Sequence, residues 1–442
     1  MPAESKAASR SGLALAGGGR TASSKPSPQG RNVEPPAASA QAPRIGLALA
    51  GGGPLGAIHE IGALCALQEA LVGVDFNAMT GYVGVSAGGF LAAGLANGMT
   101  PRQMCVAFIQ NDSLGHDLID PSMFIRPAWG EYVRRVAALP GLVVQAGTQW
   151  LLKGGSLLSA FERLGRALPT GVFSHAAVEG QVRHLLSAPG RSNDFRHLQR
   201  KLVLVATDLD SGEAAPFGQP GWEHVPISQA VAASAALPGL FPPVQIDGRW
   251  FVDGALKKTL HASVLLDMGL DLLICLNPLV PFDASRSTRH RVLSAARPPI
   301  PHLVDGGLPV VLSQTFRSLI HSRLELGMKG YESSHPHTDI VLFEPDHRDP
   351  EMFLANTFSY RQRRALAEHA YQRTRADLRS RRAVLATLLA RHGLSLNDAV
   401  LDDTERTLLG RHKPPRTRVA RALQRLDEVL NDLDRALAAR AV

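Results

Sequence analysis

The sequence predicts an α/β fold: a central, mostly parallel sheet wrapped by helices, with a helical extension at the carboxyl end. Ile45–Ala50 is an apolar run that breaks at Gly51-Gly52-Gly53-Pro54-Leu55-Gly56 and resumes at helical spacing through Ile58, Ile61, Leu64, Cys65, Leu67, Gln68 and Leu71. That pattern is strand, turn, helix. A second such unit runs from Ala78 to Ala96, with Gly84-Val85-Ser86-Ala87-Gly88 at the turn and Phe90–Ala96 opening the helix. Lys201–Asp208 and Leu270–Leu276 are apolar runs of strand length, suited to a sheet covered on both faces.

With 442 residues, 45% hydrophobic and 19% charged, the chain can bury a large core, which excludes a wholly disordered protein and fits one catalytic domain with appendages. Residues 1–43, rich in Ala, Ser, Pro and Gly and without periodicity, read as a disordered leader. The catalytic domain is assigned to 44–280, a basic linker with an amphipathic helix and a returning strand to 281–345, and the helical extension to 346–442. Gly12–Gly19 repeats Gly46–Gly53 letter for letter, but no helical pattern follows it, so the first copy is assigned no function.

In the second copy, Pro54 suits a first helical turn. Consecutive glycines let backbone N–H groups approach an anion at a helix start, as an oxyanion hole or a phosphate cradle requires. Gly51, Gly53 and Gly56 also satisfy G-x-G-x-x-G, and Asp75 falls 19 residues beyond Gly56, near where a dinucleotide-binding acid belongs. A nucleotide-binding oxidoreductase is therefore a rival reading. Against it stands Ser86, 33 residues after Gly53. Two neighbouring strands would bring both turns to one sheet edge, setting amide donors beside a nucleophile that a cofactor fold does not need.

G-x-S-x-G places a serine on a strained strand-to-helix turn with its oxygen exposed. Gly84 and Gly88 are needed because a Cβ at either place would strike neighbouring backbone. The helix start behind Ser86 favours developing negative charge. Alone, the pentapeptide is also compatible with an ordinary loop serine.

Met123–Gly141 and Gln145–Leu168 look helical, with Thr170 or Ser174 as caps, and this block is suited to covering the site or guiding a hydrophobic substrate. Asp208, at the end of its strand, reads as a turn or capping residue and only secondarily as a catalytic acid. An Ala-rich helix, Gln229–Ala236, precedes a hairpin, Val244–Val252, around Asp247-Gly248. The hairpin delivers Asp253-Gly254-Ala255. Gly254 lets the chain turn away, so the Asp253 carboxylate can face a neighbouring strand end; a helix N-cap or a hairpin charge is the alternative.

The glycine turn Gly51–Gly56, the elbow Gly84–Gly88 and Asp253-Gly254-Ala255, in that order and with Ser234–Pro243 before the aspartate, resemble the patatin-like lipid acyl hydrolases. The resemblance covers about residues 45–280 and implies a three-layer α/β/α architecture. It implies a Ser/Asp dyad, here Ser86 and Asp253, an oxyanion hole of the Gly51, Gly52 and Gly53 amides, and cofactor- and calcium-independent cleavage of lipid acyl esters, of phospholipase A or lysophospholipase type. Where the family commonly carries Arg or Lys, this chain has Leu55. Asp253 would deprotonate Ser86, which demands enough burial to raise its pKa.

A Ser/His/acid triad would need a histidine after Asp253. His261 is assigned to a helix Leu260–Met268, and His302, His321, His335 and His337 have no catalytic setting. His335 and His337 flank Pro336 without the acids or cysteines of a metal site, so no metal is expected.

Beyond the core, Leu308–Met328 predicts an amphipathic helix and Asp339–Phe343 a strand. Tyr360–Arg391 predicts a helix with nine arginines, read as a solvated face packed on the core through Leu366, Leu378, Leu385 and Leu389, with contact to an anionic membrane as the alternative. Val419, Leu423, Leu426, Leu430, Leu433 and Leu437 form a short a/d seam that docks on its own chain or pairs with a second copy. The net charge of +8 is assigned to solvated arginines rather than to nucleic-acid binding. Three scattered cysteines, Cys65, Cys105 and Cys275, suit a reducing compartment. No run reaches the ~18 residues of a membrane span and the first residues make a poor signal, so the expectation is a cytoplasmic protein with at most peripheral membrane contact. A catalytically silent scaffold for lipid or a partner is the remaining rival.

Overall fold

The computed structural model describes residues 42–110, 126–133, 137, 169–284, 302–354 and 360–410. The first Gly-rich copy, most of Met123–Gly141, all of Gln145–Leu168, the arginines at 286–297 and the seam at 419–437 lie outside them. Among the described residues the strands used here are β1 (Ile45–Leu49), β2 (Gly81–Val85), β3 (Lys201–Asp208), β4 (Ala214–Phe217), β5 (Val244–Ile246), β6 (Arg249–Asp253), β7 (Leu272–Leu276) and β8 (Asp339–Phe343). The helices are α1 (Gly53–Ala70), α2 (Ala87–Ala96), α3 (His175–Leu186), α4 (Ile227–Ser234), α5 (Gly307–Ser334), α6 (Tyr360–Ser380) and α7 (Arg382–Ala390).

The eight strands form one sheet in the order β5-β6-β3-β2-β1-β7-β8, with β4 also against β3. The five strands β3, β2, β1, β7 and β8 are parallel to one another, while β4 and β6 run antiparallel to β3. Side chains alternate across a strand. Leu47, Leu49, Tyr82, Leu202, Leu204 and Ile274 therefore enter one core with α1, α2 and α4, whereas Ala48, Val83, Val85, Val203, Val205 and Leu273 enter a second with Leu265, Ile320 and Leu324. Helices on both faces make this a three-layer mostly parallel α/β/α fold, and they account for strands that read as continuous apolar runs.

The hairpin turns where Asp247-Gly248 predicts it: Asp247 has φ 51° and Gly248 φ 78°, the left-handed pair that matches strand twist. Ser174 stands at the N-cap of α3, though its side chain makes no capping hydrogen bond. Leu366, Leu378, Leu385 and Leu389 are all buried, as the packed-face reading of 360–391 requires.

Other elements differ from expectation. α1 is buried nearly all round rather than along one stripe, because α6 lies against its other side. At Gly62 a Cβ would strike Ala367 O and come within 2.9 Å of Ala370 Cβ. β8, the strand returning from the segment 281–345, joins the sheet beside β7. The arginine-rich stretch is two helices, α6 and α7, and several of its arginines are engaged: fully buried Arg375 donates to Val400 O at 2.5 Å and Asp403 O at 2.6 Å, and Arg381 and Arg382 pair with Asp377 and Asp402. These cations are tied to the chain's own carbonyls and carboxylates. The helix expected at 260–268 is confined to Ser263–Leu266, and His261 precedes it in a left-handed conformation, φ 48°. α5 buries Ile320, Leu324 and Tyr331 but leaves Val311, Leu312, Phe316, Leu319 and Leu326 exposed. No helix among the described residues is long and apolar enough to cross a membrane.

Candidate active site

β3 brings the two far-apart sequence motifs together. Val85, the last residue of β2, stands opposite Val205, and Asp253, the last of β6, stands opposite Ala206, the next position along the same side of β3, whose other side is held by β4. Ser86 and Asp253 therefore share one sheet edge. The Ser86 hydroxyl lies close enough to the Asp253 carboxyl to pull its pKa down against the effect of burial.

Ser86 has φ 53° and ψ −123°, a left-handed conformation that costs a non-glycine residue about 1–3 kcal/mol. Its surroundings hold it there. Ser86 N donates to Ser234 Oγ (2.8 Å), Ser234 Oγ donates to Val205 O (2.6 Å), and Gly88 N donates to Ala50 O (3.1 Å). A Cβ at Gly84 would sit 2.5 Å from Gly89 Cα, and one at Gly88 2.5 Å from Leu49 O, so neither place admits a side chain.

Asp253 is 3% exposed. One carboxyl oxygen accepts the Ala255 amide at 2.8 Å, and the backbone N–H of Asp253 donates to Ala236 O at 3.0 Å. Burial pushes its pKa up to about 6, against the opposing pull of the Ala255 amide and the Ser86 hydroxyl. Such a carboxylate is ionised at neutral pH yet basic enough to accept a proton. Behind it, Gly254 lies so close to Val205 O that a Cβ would collide.

The glycine turn completes the edge. A Cβ at Gly51 would lie 3.0 Å from Ser86 Cβ and 3.6 Å from Ser86 Oγ, so this backbone passes directly beside the hydroxyl. Gly52 caps α1 and fits between Gly56 Cα and Pro278 Cγ, each 2.7 Å from where its Cβ would be, and Gly56 is likewise tight against Pro278. Gly53, φ 59°, opens the helix, whose first amides have no intrahelical acceptor. Leu55 is buried against Met352 and Leu366 of the carboxyl-terminal segment.

The rival sites do not assemble. Asp75 accepts the Asn77 amide (2.8 Å) in a loop whose Thr80 N donates to Ile45 O, at the amino end of β1. The glycine turn lies at the carboxyl end, about 15 Å away across a five-residue strand. Asp75 is thus out of reach of anything bound at Gly51–Gly56. Asp208 serves its turn, accepting from Asp210 N and Ser211 N (3.0 Å each) and from Arg249 Nε (2.6 Å). His261 is 4% exposed and hydrogen-bonds Gly254 O through Nε2 (3.2 Å); burial lowers its pKa to about 4. It braces the turn after Asp253. His321 and His335 take Glu344 and Asp267 as partners. Among the described residues no group of His, Cys, Asp and Glu is arranged to hold a metal.

Two buried residues near this edge carry little signal in the sequence. Ser234 is marked only as a serine in an Ala-rich helix. Glu60 is an acid inside the apolar stripe of α1; it is fully buried, and burial drives its carboxyl well above the ordinary range, offset only in part by the nearby Ala50 amide.

Residues 47–266 match the family model for patatin-like phospholipase. Among solved structures, VipD from Legionella pneumophila is similar at 18% identity and a TM-score of 0.35, over 76% of this chain and 67% of that one. The type III effector ExoU is similar at 16% identity and a TM-score of 0.29, over 77% of this chain and 53% of its own. ExoU bound to SpcU, from the type III secretion system of Pseudomonas aeruginosa, is similar at 14% identity and 0.27, over 66% and 53%. The chain thus spans about two thirds of VipD and about half of ExoU.

Proposed function

Starting from residues 47–266 as a domain of the patatin-like phospholipase family, we propose that this chain is a serine acyl hydrolase that cleaves lipid acyl esters through Ser86 and Asp253. Ser86 Oγ attacks the ester carbonyl while Asp253 accepts its proton, and the Gly51, Gly52 and Gly53 amides hold the tetrahedral oxyanion. Asp253 then protonates the departing alcohol, leaving an acyl group on Ser86. In the second half, Asp253 takes a proton from water as the hydroxide attacks the acyl carbon, then returns that proton to Ser86 Oγ as the Oγ–acyl bond breaks, releasing the fatty acid and restoring both residues. Neither half requires histidine or a metal.

The observation that carries this reading is that Ser86 and the buried Asp253 carboxyl, held at a pKa of about 6, meet at successive positions along one side of β3. A base with that pKa is nearly all ionised at pH 7 and still close enough to neutrality for proton transfer. The backbone of Gly51 runs beside the same hydroxyl.

Ser86→Ala and Asp253→Asn test the dyad. Each is expected to lower fatty-acid release from a short-chain ester and from phospholipid by at least about 10³-fold while the circular dichroism spectrum stays that of the wild type. Retained turnover in either variant refutes the dyad. A fluorophosphonate probe separates enzyme from silent scaffold, since it labels an activated serine: labelling of the wild type and not of Ser86→Ala is the expected result.

A further inference from the structure

α5 has two apolar faces. Ile320, Leu324 and Tyr331 are buried against the sheet layer, while Leu308, Leu312, Phe316, Leu319 and Leu326 stand 38–70% exposed. At 3.6 residues per turn these five fall within about 80° of one another, clear of the arc holding the buried three. A surface helix needs one such stripe to cover a core. The second has no partner among the described residues, and a continuous exposed stripe marks a surface for lipid or protein.

The stripe starts at the edge that holds Ser86. Gln314 exchanges hydrogen bonds with the Phe282 backbone (3.0 and 2.9 Å) and Arg317 donates to Val280 O (3.2 Å), both just past the carboxyl end of β7, where Pro278 packs on Gly52 and Gly56. At its other end Thr338 holds Leu270 O (2.7 Å), before β7 begins. The helix therefore descends from the catalytic edge, with most of its exposed apolar residues in its first turns. Further down, Arg323 and Leu326 line a groove with Lys257 and Lys258. Lys257 holds Glu213 at 2.7 Å, Arg323 donates to Leu256 O, and Glu325, two residues beyond Arg323, lies 3.4 Å from His321.

We propose that this face of α5 docks the protein on an anionic phospholipid surface, with Leu308, Leu312, Phe316 and Leu319 entering the acyl boundary and Lys257, Lys258 and Arg323 meeting headgroup phosphates; the proposal rests on the lipid-hydrolase reading of Ser86 and Asp253. Apolar side chains beside cations are what an interfacial helix presents. The cationic groove favours an anionic surface over an identical face of a second copy. Docking there brings the edge carrying Ser86 to the lipid.

The test compares wild type, Leu308→Glu/Leu312→Glu and Lys258→Gln by co-sedimentation with phosphatidylcholine vesicles, with and without phosphatidylglycerol. Wild type is expected to sediment with the anionic vesicles, the double variant to lose at least about tenfold in partitioning and in vesicle-lipid hydrolysis, and Lys258→Gln to lose the preference for phosphatidylglycerol. Both variants should cleave a water-soluble short-chain ester at the wild-type rate. Equal sedimentation of wild type and double variant overturns the proposal, as does equal binding of wild type to neutral and anionic vesicles, or a wild-type dimer in light scattering that the double variant splits. Vesicle binding by a wild type that cleaves no short-chain ester leaves the docking face standing and removes the hydrolase reading instead.

Discussion

Ser234 Oγ accepts the backbone N–H of Ser86 at 2.8 Å and donates its own hydrogen to Val205 O at 2.6 Å. One hydroxyl thus ties the strained elbow to the strand that also positions Asp253. Ser234→Ala removes the acceptor for Ser86 N and leaves Val205 O short of a donor, at a cost of about 1–3 kcal/mol. The expected outcome is a fall in kcat/KM of roughly tenfold or more with the pH midpoint unmoved, since Asp253 is untouched. Steady-state kinetics across pH checks both parts.

Asp253 works as a base only when ionised, and burial sets its pKa at about 6. Accordingly kcat/KM should rise about tenfold per unit as pH increases toward 6 and level off above it. A midpoint near the ordinary carboxylate value, in a pH–rate profile on a soluble ester, would show that Asp253 is not the titrating base.

His59, 4% exposed on α1, has its pKa lowered to about 4, chiefly by burial, although Asp349 pulls the other way. Its folded pKa lies below the unfolded one, so between pH 6.5 and 4 the unfolded chain binds a proton that the folded chain refuses. That stability is present above pH 6.5 and is lost as pH falls. Asp253, raised, acts in the opposite sense and gains stability as pH drops below about 6, so the difference between variant and wild type is the readout. His59→Gln should improve relative to wild type by about 2 kcal/mol on going from about pH 7 to about pH 5, measured by urea unfolding at the two values.

Leu55 occupies the place of the family's usual cation and is 6% exposed beneath Met352 and Leu366. Restoring a cation there would put charge into an apolar contact. Leu55→Arg is expected to cost at least about 2 kcal/mol of stability without raising activity, and Leu55→Met less than about 1.5 kcal/mol. Urea unfolding and ester turnover of the two variants distinguish these outcomes; a stable, faster Leu55→Arg enzyme would contradict the packing role.

Gly62 faces α6, and its missing Cβ leaves room for Ala367 O, Ala370 Cβ (2.9 Å) and Tyr371 N (3.1 Å). Gly62→Ala should destabilise by about 1–3 kcal/mol even though alanine is the better helix former. It should also slow hydrolysis, because α1 carries Gly51, Gly52 and Gly53 at its start. Unchanged unfolding in Gly62→Ala would mean that α6 can be displaced without consequence.

The strand, turn and helix at 45–71, the elbow at 84–88 and the hairpin before Asp253 were legible in the sequence, because each depends on local rules: side-chain period, the dihedral freedom of glycine and the twist of a two-residue turn. The seating of those turns on one edge was not. It depends on β2 and β6 pairing in succession along one side of β3, which brings Ser86 beside Asp253, 167 residues further along the chain. The stripe on α1 looked one-sided for the same reason: a sequence window around Gly62 contains nothing of Ala367 or Ala370.

Composition and short motifs therefore determined the α/β class and the candidate residues Ser86, Asp253 and Gly51–Gly53. Only the tertiary structure decided that Asp75 and the glycine turn lie at opposite edges, that the arginines of α6 and α7 named above are turned to carbonyls and carboxylates of their own chain, and that α5 keeps an apolar face exposed. The physical reason is that backbone preference acts within a few residues, whereas burial and pKa are set by whatever the folded chain brings alongside.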